Sequence, residues 1–332
     1  MTNCSPINNN TKSKITVAIP AYNAMEYLPQ TLASVLKQTY QNFEVIIVND
    51  GSTDGIEDWF ATIEDTRVKL ISQSNQGLAG ARNTGVQQAT GEYIALLDAD
   101  DLWGTTKLAK QIKILDDNPE VGLVYTWASL IDERSKPIGK LHKWEQQGQV
   151  WEKLLPCNPI IPSSVIIRRT CFDRVGSFDT NLLSYIEDWD MWLRLAKHYQ
   201  FAVIKEPLLY YRERSSSVSK NWEGMKQSFE IVIEKAFTDA PANLMSIKKI
   251  SYSLAYQHLA AQALNSQNPD LQVVIALRNL AVSYNPRLRF SWRYWRGAIA
   301  IASSKLFGFQ TYKKVLGFFQ NLRGYLTPMQ NS

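Results

Sequence analysis

Short apolar runs alternate with helical periodicity through the first third of the chain. Residues 15–20, 43–48, 68–71 and 93–97 are such runs, and each leads into polar residues, the pattern of buried strands. Between the first two, Leu28, Leu32, Val35 and Leu36 fall on one face of a helix predicted over about 26–38, with Pro29 tolerated in its first turn. Asp54 is placed to cap a helix over 55–63. A third helix opens at Gln76-Gly77 and runs to about Ala89, with Gly91 as its stop before the strand at Tyr93. This β-α-β-α-β-α-β order predicts a mostly parallel sheet with helices on both faces.

Further along, the pattern predicts a helix over 106–117, stopped by Asn118-Pro119, and strands over 121–131, 163–167 and 201–211, the last interrupted by Pro207. Residues 136–149 read as irregular. A helix opens at about Ser184, with Trp189, Trp192, Leu193 and Ala196 on one side. After Ser219 only helical periodicity remains, broken near Ala240-Pro241, Asn268-Pro269 and Asn285-Pro286. Three regions follow: a flexible polar stretch over 1–13, an α/β domain over 14–219 and a helical region over 220–332.

Charge sharpens this division. The net charge is +5, from 36 Lys/Arg and 31 Asp/Glu. Nine of those basic residues, and no acidic one, lie between Leu271 and Ser332. The body is therefore mildly acidic and the tail basic, which suits an anionic partner for the tail. Three cysteines without paired spacing, and a polar N-terminus without an apolar segment, lead to the expectation of a cytoplasmic chain with no signal peptide.

The chemistry gathers where strands end. The strand at Tyr93 delivers Asp98, Asp100 and Asp101 to the carboxyl edge of the sheet, where open α/β folds bind ligands. Carboxylates so close repel, and an oxygen-only set of this kind suits Mg²⁺ or Mn²⁺; a solvated Asp-rich turn fits the same residues. Tyr22 offers a ring for a base. Asp50 offers acceptors for base or ribose, although Asp50-Gly51 is also plain turn chemistry. Arg82, near a helix start, can meet a diphosphate or stand solvated. Together these four suit a nucleoside diphosphate with a divalent cation. No G-x-G-x-x-G follows the first strand, which disfavours a dinucleotide oxidoreductase.

Four segments in order, residues 17–23 (VAIPAYN), 48–54 (VNDGSTD), 81–83 (ARN) and 97–101 (LDADD), resemble the motifs of family 2 glycosyltransferases. The resemblance is strong over about 14–103, weaker over 162–219 and absent from the last third. It implies a GT-A fold and inverting transfer of a sugar from a nucleotide diphosphate donor, UDP-linked by likeness, to a glycan or lipid-linked hydroxyl in surface polysaccharide synthesis. By similarity, Pro20, Ala21 and Tyr22 line the base, Asp50 hydrogen-bonds it, and Arg82 lies along the nucleotide or sugar. Asp98 contacts ribose or metal, and Asp100 ligates Mn²⁺ or Mg²⁺.

Inversion needs one general base, because the acceptor hydroxyl attacks in line with the leaving diphosphate. Glu187-Asp188 matches the family's Glu-Asp pair and makes Asp188 that base, with Glu187 and Trp189 toward the acceptor. The residues alone admit another reading: Ser184 and Glu187 have capping-box spacing, and Asp188 and Asp190 are first-turn acids that favour the helix dipole. Where the family often carries a histidine after this helix, the chain has Tyr211-Arg212-Glu213-Arg214. Arginine cannot ligate a metal but pairs with a diphosphate, so Arg214 is assigned to the donor. The rival from another class is a non-catalytic nucleotide-sugar-binding scaffold; Asp98, Asp100 and Asp188 all being present argues against it.

Residues 286–296 interleave arginine with aromatics, followed by Lys313-Lys314 and Phe318-Phe319. This pattern predicts contact with an anionic membrane surface at the inner face of the plasma membrane. Nucleic acid is disfavoured by the nucleotide site, and helices packed on the catalytic domain or on a second subunit are the alternative.

Overall fold

The computed structural model describes residues 14–182, 186–214, 221–238, 240–266 and 269–307. Two compact units divide the chain: Met1–Ser217 with Gln227–Lys248, and Val218–Lys226 with Lys249–Ser332.

The first unit begins β1 (Ile15–Ala21), α1 (Leu28–Leu36), β2 (Phe43–Asp50), α2 (Ile56–Phe60), β3 (Val68–Gln73), α3 (Gly77–Gln87) and β4 (Tyr93–Leu96). It continues with β5 (Leu102–Trp103), α4 (Lys107–Asp117), β6 (Val121–Ile131), β7 (Pro137–His142), α5 (Trp151–Leu154), β8 (Ile166–Arg168), α6 (Thr170–Val175), α7 (Glu187–Ala196) and β9 (Gln200–Arg212). The strands form one sheet in the order β3-β2-β1-β4-β8-β6-β9-β5, with β7 on β6. β3, β2, β1 and β4 run parallel, as do β6 and β9; the β4–β8 and β8–β6 pairings are antiparallel.

Every residue of β1 and β2 is buried, as expected of parallel strands covered on both faces. Side chains alternate between the faces. Ile15, Val17 and Ile19 pack with Leu28, Leu32 and Val35 of α1 and with Leu108, Ile112 and Leu115 of α4. On the other face, Ile46 and Val48 meet Ala81 of α3. α3 lies so close that a Cβ on Gly85 would stand 2.9 Å from the Ala18 Cβ. Gly91 is required for a similar reason: a Cβ there would lie 2.6 Å from the Thr16 nitrogen.

The predicted parallel half and its helices are present. Four local expectations are corrected. Asp54 does not cap α2; Gly55, at φ 84°, occupies that position, and the Asp54 carboxylate accepts from the Met25 N–H at 2.8 Å. The segment read as irregular contains β7, an edge strand paired with β6. The strand expected over 163–167 starts later, at Ile166, because Pro162–Ser164 form a 3₁₀ turn. β9 runs through Pro207, and the ladder with β6 absorbs it by register shifts around Trp127. The flexible stretch 1–13 and the Ser184 cap lie outside the described residues.

The helical remainder is α8 (Trp222–Phe237), α9 (Met245–Asn265), α10 (Leu271–Tyr284) and α11 (Trp292–Phe307), with breaks at the predicted prolines. Within the second unit, Tyr252 of α9 stacks on Tyr284 of α10, with ring centroids 4.5 Å apart, and the Ser253 hydroxyl donates to the Ala281 carbonyl at 2.9 Å.

Candidate functional site

The loop from Leu97 to Asp101 leaves the end of β4 and is held from several sides. The Thr31 hydroxyl of α1 lies 2.9 Å from the carbonyl oxygens of both Ala99 and Asp101. The Asp98 N–H donates to the Ser163 hydroxyl at 3.0 Å. From β9, Arg212 donates its backbone N–H to the Asp101 carboxylate at 2.9 Å and its Nε to the Asp100 carbonyl at 2.7 Å. Asp101 is fully buried, so it shapes the loop from inside and offers nothing to a ligand. Burial, then repulsion from Asp100 and Asp98, raises its carboxyl well above the ordinary range.

Asp98 and Asp100, unlike Asp101, keep about a quarter of their side-chain surface exposed. Asp100 meets Arg214 Nη1 at 3.2 Å, and burial together with the Asp98 charge raises its carboxyl. Two carboxylates two residues apart, one resisting ionisation through burial and then through the other's charge, make a site that a cation would relieve. The donors are all oxygen, which fits Mg²⁺ or Mn²⁺. Among the described residues, no three His, Cys, Asp or Glu side chains converge into a self-sufficient metal cluster. A cation held here would therefore take further oxygens from its ligand or water.

Arg82 lies deeper than a solvated helix arginine. At 1% exposure, its Nη1 binds Glu187 at 2.5 Å and its Nη2 binds Asp98 at 2.7 Å. One guanidinium thus joins the end of β4 to the start of α7. Neither Glu187 nor Trp189 offers surface to an acceptor. Glu187 is buried against Arg82, while Trp189 donates its indole N–H to the Leu154 carbonyl at 2.9 Å and packs 5.9 Å from the Phe229 ring.

Asp188 sits in the first turn of α7 at 6% exposure. One oxygen accepts from the Trp189 N–H at 2.7 Å, the other from Asn158 Nδ2 at 2.8 Å. Burial and the adjacent Glu187 charge push its carboxyl up to about 7, against the opposing pull of Arg82. A carboxylate tuned to neutral pH is suited to accept a proton from a hydroxyl.

A pocket of about 330 Å³, large enough for a small ligand, opens where β1 and β2 end and α3 begins. Pro20, Ala21, Tyr22 and Asp50 line it, with Gly77 and Leu78 from the start of α3. Tyr22 is 57% exposed at its edge. Asp50 is fixed by Gln73 Nε2 at 2.7 Å and by the Gln76 N–H at 2.9 Å.

Sequence reasoning missed Thr31, Ser163, Asn158 and the structural work of Arg212. Each acts on a partner 30 or more residues away in the chain, so no local motif carries the signal.

A family model described as "Glycosyl transferase family 2" matches residues 16–175. An uncharacterised glycosyltransferase of Rickettsia bellii is 33% identical over 208 residues, 62% of this chain but 30% of that protein, so the chain spans under a third of that relative's length. WfgD of Escherichia coli, named as a UDP-Glc:α-D-GlcNAc-diphosphoundecaprenol β-1,3-glucosyltransferase, is 30% identical over 73% of this chain and 91% of its own length. Among solved structures, the mannosyltransferase PcManGT of Pyrobaculum calidifontis, in complex with GDP-Man and Mn²⁺, superposes with a TM-score of 0.54 at 22% identity. It covers 90% of this chain and 88% of its own, a likeness of fold.

Proposed function

Since the chain belongs to glycosyltransferase family 2, we propose that it transfers a sugar, with inversion, from a UDP-linked donor to a hydroxyl of a glycan or lipid-linked acceptor in surface polysaccharide synthesis. The observation that carries this reading is the buried linkage Asp98–Arg82–Glu187, which ties the aspartate loop to the turn holding Asp188. It couples a donor-side acid pair to a carboxyl poised near neutral pH.

In this reading the pocket at Tyr22 and Asp50 takes the nucleoside: the ring of Tyr22 stacks on the base, and the fixed carboxylate of Asp50 accepts from it. Pro20 and Ala21 form the wall. Asp98 and Asp100 would hold a Mn²⁺ or Mg²⁺ ion, and its charge would favour departure of the diphosphate. Arg214, paired with Asp100 here, turns to the diphosphate. Arg82 positions: it pairs with Asp98 and Glu187 together and so fixes the distance between donor and base. Asp188 takes the proton from the attacking hydroxyl, and Asn158 orients it. WfgD, a glucosyltransferase that uses UDP-Glc and a diphosphoundecaprenol acceptor, supports the donor and acceptor classes, and the Mn²⁺ bound with GDP-Man in PcManGT supports the metal.

The test is hydrolysis and transfer with a panel of nucleotide sugars in the presence of Mn²⁺, comparing the chain with Asp188→Asn. Donor turnover by the parent alone is expected. If both proteins bind a nucleotide sugar and neither turns it over, the chain is a binding scaffold and the catalytic reading falls.

A further inference from the structure

We propose that Phe290, Trp292, Trp295 and Ile299 form a docking face for an anionic lipid bilayer. These side chains are 89%, 69%, 54% and 54% exposed. Other exposed apolar residues, such as Leu141 and Ile231, stand apart in the chain, whereas these four fall within ten positions. Single exposed hydrophobics are ordinary, and a contiguous aromatic cluster marks an interaction surface.

The orientation of the face is fixed from behind. Arg278 of α10 donates Nη2 to the Tyr294 carbonyl at 2.7 Å, and its guanidinium lies 4.4 Å from the centroid of the Tyr294 ring. Gly297 makes room for it: a Cβ there would stand 1.8 Å from Arg278 Nη1. Ile301, one turn on, is buried, as is Leu288 in the turn before α11. Tyr294, Gly297 and Ile301 therefore mark the packed side of α11. Trp292, Trp295 and Ile299, spaced by three and four, form a separate stripe on the side left open.

Charge decides the occupant. Arg287 and Arg289 are exposed beside the stripe, and the sequence from Leu271 onward has nine basic and no acidic residues. A second copy would bring the same positive charge to the same patch, so self-association sets like charges together. An anionic bilayer answers both features, with phosphate and headgroup charge for the arginines and an acyl boundary for Ile299 and the rings. No helix among the described residues is long and apolar enough to cross a membrane, and the opposed packed and open sides of α11 suit a helix lying in the interface. Lys313, Lys314, Phe318 and Phe319 lie outside the described residues, and the face does not depend on them.

Flotation of the full chain with vesicles of phosphatidylcholine, or of phosphatidylcholine and phosphatidylglycerol in equal parts, tests this. The chain should rise with the anionic vesicles and little with the neutral ones, with a blue shift in tryptophan emission. Each arginine near such a surface is worth roughly a fivefold change in partitioning, so Arg287→Gln with Arg289→Gln should lower it by roughly 30-fold. Phe290→Ser, Trp292→Ser and Trp295→Ser together should abolish it without moving the thermal transition, because the side chains are exposed. Added salt should weaken binding without removing it. Equal recovery with both vesicles, none with either, or an unaffected triple variant overturns the proposal. So does a dimer that the triple variant dissolves while lipid binding is absent. The assay needs neither donor nor acceptor, so its failure is separate from failure of the glycosyl-transfer reading.

Discussion

Replacing Asp188 by asparagine should raise stability and remove activity, and both effects come from one carboxyl. Buried beside Glu187, Asp188 has its carboxyl pushed up to about 7 from an ordinary value near 3.8. A group whose folded pKa is raised adds stability at acid pH, and that stability is lost as pH climbs from the unfolded value through the folded one. The rise of about three pKa units corresponds to roughly 4 kcal/mol, the cost at pH 8 of holding the group ionised in the fold. Asparagine carries no charge and escapes that cost. It keeps one acceptor oxygen for two donors, Trp189 N–H and Asn158 Nδ2, and the orphaned donor returns about 1–2 kcal/mol. The net gain at pH 8 is about 2–3 kcal/mol, a rise in Tm of roughly 5 °C. At pH 5 only roughly 1.5 kcal/mol of that cost has accrued, because the unfolded carboxyl is already ionised while the folded one is not, and the orphaned donor offsets it, so the gain should shrink to near zero. Transfer by the variant should fall by ~10²–10⁴, and kcat/KM of the parent should climb with pH up to about 7. Calorimetric melts at pH 5 and pH 8, with initial rates on one preparation, measure all of this. A variant that is no more stable at pH 8 than at pH 5 relative to the parent would refute the tuned-carboxyl argument, and near-parental turnover would return Asp188 to a helix-dipole role.

Asp100→Asn should abolish the gain in UDP affinity that Mn²⁺ confers; calorimetric titration with and without the ion checks it, and a persisting gain means Asp100 is not a ligand. Arg82→Gln strands two carboxylates, Glu187 and Asp98, and should cost ~3–5 kcal/mol in denaturant unfolding, the range for breaking a buried pair. A loss below about 1 kcal/mol would class the linkage with surface ion pairs. Thr31→Val removes the hydroxyl shared by the Ala99 and Asp101 carbonyls at nearly constant volume, and should cost about 1–3 kcal/mol. Its donor KM should rise more than its kcat falls, and the reverse pattern would detach Thr31 from the donor side.

The parallel half of the sheet was legible because its burial is written in apolar runs. β1 and β2 are covered along their whole length, so period and composition agree. β7 was illegible for the opposite reason. Its residues are exposed or half-buried on an edge, and only the ladder to β6 makes it a strand. Asp54 shows a subtler failure. Composition gives it a capping position, but Gly55 adopts the left-handed conformation that only glycine takes cheaply, and the carboxylate goes to Met25 instead.

The site divides along the same physical line. Side chains that meet a ligand at strand ends sit in short motifs, because the strand fixes the backbone and the residue need only be the right type. Tyr22, Asp50, Asp98 and Asp100, proposed for the donor, are of this kind, whereas Asp188, proposed as the base, lies in the first turn of α7. What holds them is long-range. Arg82 reaches Glu187 across 105 residues, Arg212 reaches Asp100 across 112, and Asn158 reaches Asp188 across 30. The motif alone suggests that Arg82 meets a ligand; its burial between two carboxylates makes it first an internal cation. That placement has a chemical consequence. Arg82 pairs with Glu187 and Asp98, and its charge also pulls the Asp188 carboxyl down, but burial and the Glu187 charge outweigh that pull and drive the Asp188 pKa toward neutrality. In the proposed mechanism, the arginine that looks like a donor contact thus holds Glu187 in its pair and leaves Asp188, with its raised carboxyl, as the base.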